Sequence, residues 1–191
     1  MVQQDGKAEE RRRGAAVEER EAKYRREQLD HLLAGMGGVE GAARAALDEV
    51  RERWMGPQCA VLDFLLARLK AQRRLAPKDL EPFLEIGAFT AHLSGYLATT
   101  HGMRGYCGDL DCEVVKRSFS EVFPRLGLNA SNLTAVRANA ACLDFANDSL
   151  GLVFCFSTLH HLDDPVRCLK EIRRVLRPGG VFLCAREPIQ P

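Results

Sequence analysis

Residues 150–185 read LGLVFCFSTLHHLDDPVRCLKEIRRVLRPGGVFLCA, and the fold is decided there. The opening run, LGLVFCFS, is almost continuously apolar and of strand length, which is how a strand covered on both faces reads. The next stretch, DPVRCLKEIRRVLRPGG, has helical periodicity. Asp163 or Asp164 is its start signal, with Pro165 in the first turn, and Pro178 with Gly179-Gly180 is its expected stop. VFLCARE then reads as a second apolar strand. A strand, a helix and a strand in succession predict a parallel pair joined by a crossover helix.

The same alternation extends upstream. PFLEIG (82–87), RGYCGD (104–109) and LTAVRA (133–138) read as strands; FTAHLSGYLATT (89–100) and CEVVKRSFSEVFPRLG (112–127) read as the helices between them. The fold class is therefore α/β, with a doubly wound, mostly parallel sheet over residues 79–191. Residues 39–78 form an expected helical cap. Val39, Ala43, Ala46, Leu47, Val50 and Trp54 recur at helical spacing, and so do Val61, Leu62, Leu65, Leu66 and Leu69. Gly56-Pro57 is expected to divide these two helices and Pro77 to end the second. Residues 1–30 carry sixteen charges, eight of each sign. The tail, 1–38, is read either as a solvated helix supported by Glu9/Arg13, Glu19/Lys23 and Glu21/Arg25, or as disordered, with a break at Gly35, Gly37 and Gly38.

Composition narrows the function. With 46% hydrophobic and 28% charged residues among 191, the chain has enough apolar mass for a core, which excludes wholesale disorder. No apolar run approaches the ~20 residues that span a bilayer. The 27 basic residues against 26 acidic ones leave no global attraction to nucleic acid or anionic lipid. The seven cysteines are an odd count, form no C-x-x-C pair and mostly sit in apolar runs, the pattern of reduced buried thiols. The first residues, MVQQDGKAEERRRG, have no apolar stretch of the kind a signal peptide needs. A cytoplasmic protein is expected.

Open parallel sheets bind ligands beyond the C-terminal ends of their strands. In E-I-G-A-F-T-A (85–91), Gly87 suits a tight turn from strand to helix whose free N–H groups hold an anionic group. A nicotinamide fingerprint fails, because Phe89 and His92 stand where two of its three glycines belong. In G-D-L-D (108–111), Asp109 is a candidate for gripping ribose hydroxyls and Asp111 for capping the next helix.

Read together, E-I-G-x-x-T, Y-C-G-D-L-D-C-E-V-V and S-x-x-L-H-H-L-D-D-P…L-K-E-I-R-R-V-L-R-P-G-G resemble the class I S-adenosylmethionine-dependent methyltransferases, in particular their small-molecule group with the quinone-biosynthesis enzymes. The resemblance covers roughly residues 80–187 and is most specific in its last block. It implies a Rossmann-like methyltransferase sheet with an N-terminal helical extension. It implies S-adenosylmethionine as cofactor and methyl transfer to a small-molecule O, N or C nucleophile. Glu85, Gly87, Ala88 and Phe89 then match the cofactor loop beside the methionine moiety. Asp109 matches the ribose carboxylate, with Leu110 against the adenine, and Asn139 and Ala140 fall near the adenine amino group. Phe156 and Ser157 fall beside the sulfonium and substrate, where an aromatic face favours a cation by ~0.5–2 kcal/mol. Two further strands are implied after the fifth, so the domain is expected to be incomplete, with an exposed sheet edge.

Four positions depart from the family. Phe89 and Ala91 replace loop glycines, Asn139 replaces an acid, and Gly151 replaces the acid common before the fourth strand. If position 89 needs positive φ, its side chain costs on the order of 1–3 kcal/mol. These changes open a second reading, a catalytically impaired methyltransferase-like protein acting as a binding or scaffold module. Protein contacts or a homodimer would then use the N-terminal helices or the sheet edge.

His161 is the candidate catalytic base. No metal site is expected, because His160-His161 with Asp163-Asp164 lack a third ligand at sensible spacing. The fourth strand ends in F-S-T-L, without the N/D-P-P-Y/F pattern of nucleic-acid aminomethylating enzymes. The basic residues Arg167, Lys170, Arg173, Arg174 and Arg177 read as a solvated helix face.

Overall fold

The computed structural model describes residues 2–36 and 48–188. Five parallel strands form one sheet in the order β3-β2-β1-β4-β5. They are β1 (Phe83–Ile86), β2 (Gly105–Asp109), β3 (Leu133–Arg137), β4 (Leu150–Phe156) and β5 (Leu176–Ala185). The helices are α1 (Val2–Met36), α2 (Gly56–Arg73), α3 (His92–His101), α4 (Cys112–Glu121), α5 (Phe123–Leu126) and α6 (Pro165–Val175). Because β1 has β2 on one side and β4 on the other, strand order reverses beside it, and the crevice above β1 is the ligand position of such sheets.

Side-chain alternation divides the core between the two faces of the sheet. Phe83 and Phe154 point to one face, where they pack with Leu62 and Leu66 of α2 and Leu97 of α3. Leu84, Ile86, Val153 and Cys155 point to the other, against Cys168, Ile172 and Val175 of α6. The inner strands β1, β2 and β4 are buried on both faces, while the edge strands β3 and β5 are only partly covered.

Three local expectations change. Gly56-Pro57 does not divide two helices: a π-helical turn over Val50–Met55 runs straight into α2, since Gly56 keeps helical dihedrals and Pro57 stands in the first turn, where its missing N–H costs nothing. The earlier half of the expected helical stripe, Val39, Ala43, Ala46 and Leu47, lies outside the described residues. The crossover helix stops at Val175, before Pro178, because Leu176 already pairs with Leu150; Arg177–Gly180 belong to an irregular start of β5, with Gly179 at φ +81°. Arg177 therefore leaves the basic helix face. Its guanidinium donates to the carbonyls of Glu81 and Asp79, and Arg174 donates to those of Leu143 and Phe145. These two arginines cross-link loops.

Gly151 has a steric explanation. A Cβ there would stand 2.6 Å from the backbone of Leu80 and 2.8 Å from the Arg177 guanidinium, so the 3-10 turn Pro77–Leu80 leaves no room for an acid.

The N-terminal segment is a single helix. α1 runs 35 residues, roughly 50 Å at 1.5 Å per residue. Its C-terminal part is anchored by Leu29, Leu33 and Met36, which pack with Val114, Val122 and Leu126. Arg25 does not pair with Glu21 along the helix; it reaches Asp109 instead. Among the described residues, no helix is long and apolar enough to cross a membrane. The outer edge of β5 pairs with no described strand.

Candidate cofactor groove

The turn from β1 to α3 shows why its residues matter. Gly87 has φ +70°, and a Cβ there would lie 2.6 Å from the Thr158 methyl group, so the turn after β4 closes directly over it. Phe89 and Ala91 also have positive φ, +48° and +51°. The loop thus keeps a glycine-type backbone with two side chains on it, at a cost of about 1–3 kcal/mol each. The Phe89 ring is half-buried beside the α1 anchor residues and α4, so packing offsets part of its strain. Its amide donates to Asp109 Oδ2 at 2.9 Å.

Asp109 closes β2 and is 1% exposed. Its other oxygen accepts from the Asp111 amide at 3.3 Å, and Arg25 Nη1 stands 3.2 Å from Oδ2. Asp111 caps α4, accepting from the Glu113 amide at 3.1 Å, and also accepts from Arg26. Glu85 is fully enclosed and accepts from the Ser94 amide and hydroxyl. Burial pushes its carboxyl up to about 7, against those two hydrogen bonds and with Asp109 adding to the rise.

Two cavities meet at this end of the sheet. One, of about 290 Å³, is lined by Glu85, Gly87, Ala88, Phe89, Phe156 and Ser157. The other, of about 500 Å³, is lined by Gly87, Asp109, Leu110, Asn139 and Ala140. His161 borders both. The residues singled out from sequence therefore come together along one groove. Asn139 turns one side of its amide to the Ala141 N–H at 2.9 Å and the other to Glu18 at 2.8 Å. Ser157, at φ +50°, donates its hydroxyl to the Arg186 carbonyl.

Several groove residues had no signal in the sequence. Arg25, Glu21 and Glu18 come from α1, and nothing in a run of alternating charges tells which one turns inward. His92 and Gln58 meet at 3.3 Å inside the first cavity, and burial lowers the His92 imidazole to about 4, leaving it neutral near pH 7. Glu187 accepts from the amides of Thr158, Leu159 and His160 and pairs with the His160 ring at 2.7 Å. Burial alone would raise its pKa; those four donors bring it down to about 2. The His161 imidazole is lowered by burial, then by His160 and Arg25.

Among the described residues, Cys155, Cys184 and Glu187 are the one group of ligand-type side chains close enough to share a cation. Burial raises both thiols, and Glu187 is already committed to the turn, so the set does not suit a metal.

A family model described as "Methyltransferase domain" matches residues 84–184, more than half of the chain. The chain belongs to that family. S-adenosylmethionine goes with this membership as the cofactor of the methyltransferase domain. The domain is 32% identical over 124 residues to a demethylmenaquinone methyltransferase of Bacillus velezensis, covering 65% of this chain and 52% of that one. It is 30% identical over 109 residues to the O-methyltransferase resE of Aspergillus sclerotiorum, covering 56% and 40% respectively. The matched stretch thus spans about half or less of these curated relatives.

Two solved structures share its fold. One, from Methanococcus maripaludis, is assigned as an S-adenosyl-L-methionine-dependent methyltransferase. It has a TM-score of 0.57 at 13% identity, covering 76% of this chain and 63% of that one. The other, from Galdieria sulphuraria, is assigned as a sarcosine dimethylglycine methyltransferase. It has a TM-score of 0.53 at 23% identity, covering 64% and 44%.

Proposed function

We propose that the chain binds S-adenosylmethionine along the two joined cavities and transfers its methyl group to a small-molecule O, N or C nucleophile. The observation that carries the reading is the pairing of Asp109 with the Phe89 amide across a loop whose backbone keeps positive φ at 87, 89 and 91. That backbone is the cradle the cofactor needs, retained where two glycines are missing. The clash a Cβ at Gly87 would make with Thr158 supports the same fit.

S-adenosylmethionine, when bound, supplies an electrophilic methyl on a sulfonium. The chain's own residues orient and enclose it. Asp109 accepts from the ribose hydroxyls, a charge-assisted pairing. Asn139 offers a donor and an acceptor to the adenine edge, and Leu110 and Ala140 supply apolar cover there. Glu85 and Gly87 border the methionine end, and the Phe156 face suits a cation. His161, held neutral near pH 7, is the candidate to take a proton from the acceptor. The larger share of the acceleration is assigned to positioning and exclusion of water.

The acceptor is read as a small molecule because the two cavities hold about 290 and 500 Å³, and the basic residues Arg174 and Arg177 are spent on backbone carbonyls. All seven cysteines are free thiols, which supports a cytoplasmic setting. A protein partner or second copy would dock along the outer edge of β5, which pairs with no described strand.

The test is calorimetric titration with S-adenosylmethionine and S-adenosylhomocysteine. Micromolar binding that Asp109→Ala weakens at least about tenfold supports the site, the loss expected for a charged hydrogen-bond acceptor. A folded chain that binds neither compound overturns it in favour of the scaffold reading.

A further inference from the structure

α1 is an odd element to find over this groove. Up to Gln28 its described contacts with the domain are polar; from Leu29 onward Leu29, Leu33 and Met36 are buried in an apolar cluster, flanked by an Asp30–Arg117 ion pair and an Arg125 hydrogen bond to the Leu33 carbonyl. Two of these polar contacts fall on residues assigned to the cofactor, Asp109 and Asn139, and the others fall beside the groove. Arg25 sits on Asp109, Glu18 on Asn139 and Arg137, and Arg26 on Asp111. Arg25 lines both cavities and so stands where they join. With Arg25 in place, the Asp109 carboxylate is 1% exposed. A ligand cannot reach its oxygens without moving that guanidinium.

We propose that residues 18–28 of α1 are an internal occupant of the cofactor groove. Arg25 takes the ribose's place on Asp109, Glu18 takes the adenine's place on Asn139, and the cofactor enters by displacing them. The proposal rests on the reading of this groove as the cofactor site. The helix peels from its N-terminal side while the anchor formed by Leu29, Leu33 and Met36 stays seated.

The energetics favour this division. The outer polar contacts are partly solvent-exposed ion pairs, with Arg26 at 59% and Arg137 at 68% side-chain exposure, and such pairs are weak and easily exchanged, whereas the buried Arg25–Asp109 pair gives way only to a ligand that satisfies Asp109 in its place. The anchor buries apolar side chains, which is stronger and indifferent to the cofactor. Phe89 gains a purpose here. It is the loop's large departure from glycine, and its ring packs in the cluster that seats Leu29 and Leu33. The residue that strains the loop is therefore part of the hinge that holds α1 over it.

Competition of this kind lowers apparent affinity by the fraction of molecules already open, so freeing the groove raises affinity by the same factor. The experiment titrates the 191-residue chain with S-adenosylhomocysteine, as wild type, Arg25→Ala, Glu18→Ala/Arg25→Ala and Asp109→Ala. Arg25→Ala is expected to bind about tenfold more tightly than wild type, with the double variant tighter still. In wild type, hydrogen exchange at saturating ligand is expected to speed up over residues 18–28 and stay unchanged over 29–36.

An Arg25→Ala affinity equal to or weaker than wild type overturns the proposal, and so does slower exchange over 18–28. Slower exchange would describe a helix that closes onto the cofactor. Unchanged binding by Asp109→Ala would sink the cofactor reading itself. Loss of binding there, without tightening in Arg25→Ala, would remove only the occupant.

Discussion

Glu85 and Ser94 tie the end of the first strand to the first turn of α3. One carboxylate oxygen accepts both the Ser94 amide, at 3.1 Å, and the Ser94 hydroxyl. The residue is 4% exposed, so burial outweighs its partners in setting its titration, near 7 instead of 4.5. His92, two residues before Ser94 in the same turn, is shifted the other way, from 6.5 to about 4. An acid and a base buried within one helical turn of each other make stability depend on pH in opposite senses.

Glu85 holds its proton more tightly folded than unfolded. Its contribution is complete below pH 4.5 and is lost as pH rises to about 7. At about 1.4 kcal/mol per unit, the loss is on the order of 3 kcal/mol. His92 must stay neutral to fold, so its contribution grows as pH rises from about 4 to 6.5, by a similar amount. The two slopes nearly cancel between pH 4.5 and 6.5. Glu85→Gln should therefore gain stability with rising pH across that window where wild type stays flat. Urea unfolding across the window checks this, and parallel curves for the two proteins would show that Glu85 titrates normally.

Phe89→Gly removes the strain of a side chain at φ +48° and with it a half-buried ring. Relief of about 1–3 kcal/mol works against a packing loss of similar size, so net stability should change by less than about 1 kcal/mol. The anchor of α1 should loosen. Hydrogen exchange over residues 29–36 should accelerate, and an unchanged rate there would show that Leu29 and Leu33 are held without the ring.

Gly151→Asp restores the acid that the family commonly carries. Here it should destabilise the fold by about 1–3 kcal/mol even beside the Arg177 guanidinium, because it brings a Cβ to 2.6 Å from the Leu80 backbone, which cannot give way as a side chain can. Gly151→Ala should lose less but still measurably, since the clash is with backbone. Thermal melting of both variants decides the matter; a neutral Gly151→Asp would mean that the Pro77–Leu80 turn shifts freely.

The sequence alone determined the sheet. Apolar runs of strand length between helical stretches leave few ways to bury both faces, and residues 150–185 carry one complete crossover unit. Local chemistry was also legible: Asp111 and Asp164 cap their helices through their own neighbours, the amides of Glu113 and Arg167, and these pairings need no distant partner. Phe89 and Ala91 were visible as departures, but their backbone angles and the packing around Phe89 depend on neighbours far along the chain.

The tertiary structure decided what lies over the groove. Eight acids and eight bases in thirty residues offer many equivalent pairings along a helix, and the sequence favoured Glu21 for Arg25. Asp109 wins because it is buried at a strand end, where a charge without a partner costs far more than one left in water. Burial is set by packing among residues distant in sequence. The strand ends that form a ligand groove could be read from residue order, while the helix that covers them depended on where α1 found apolar purchase.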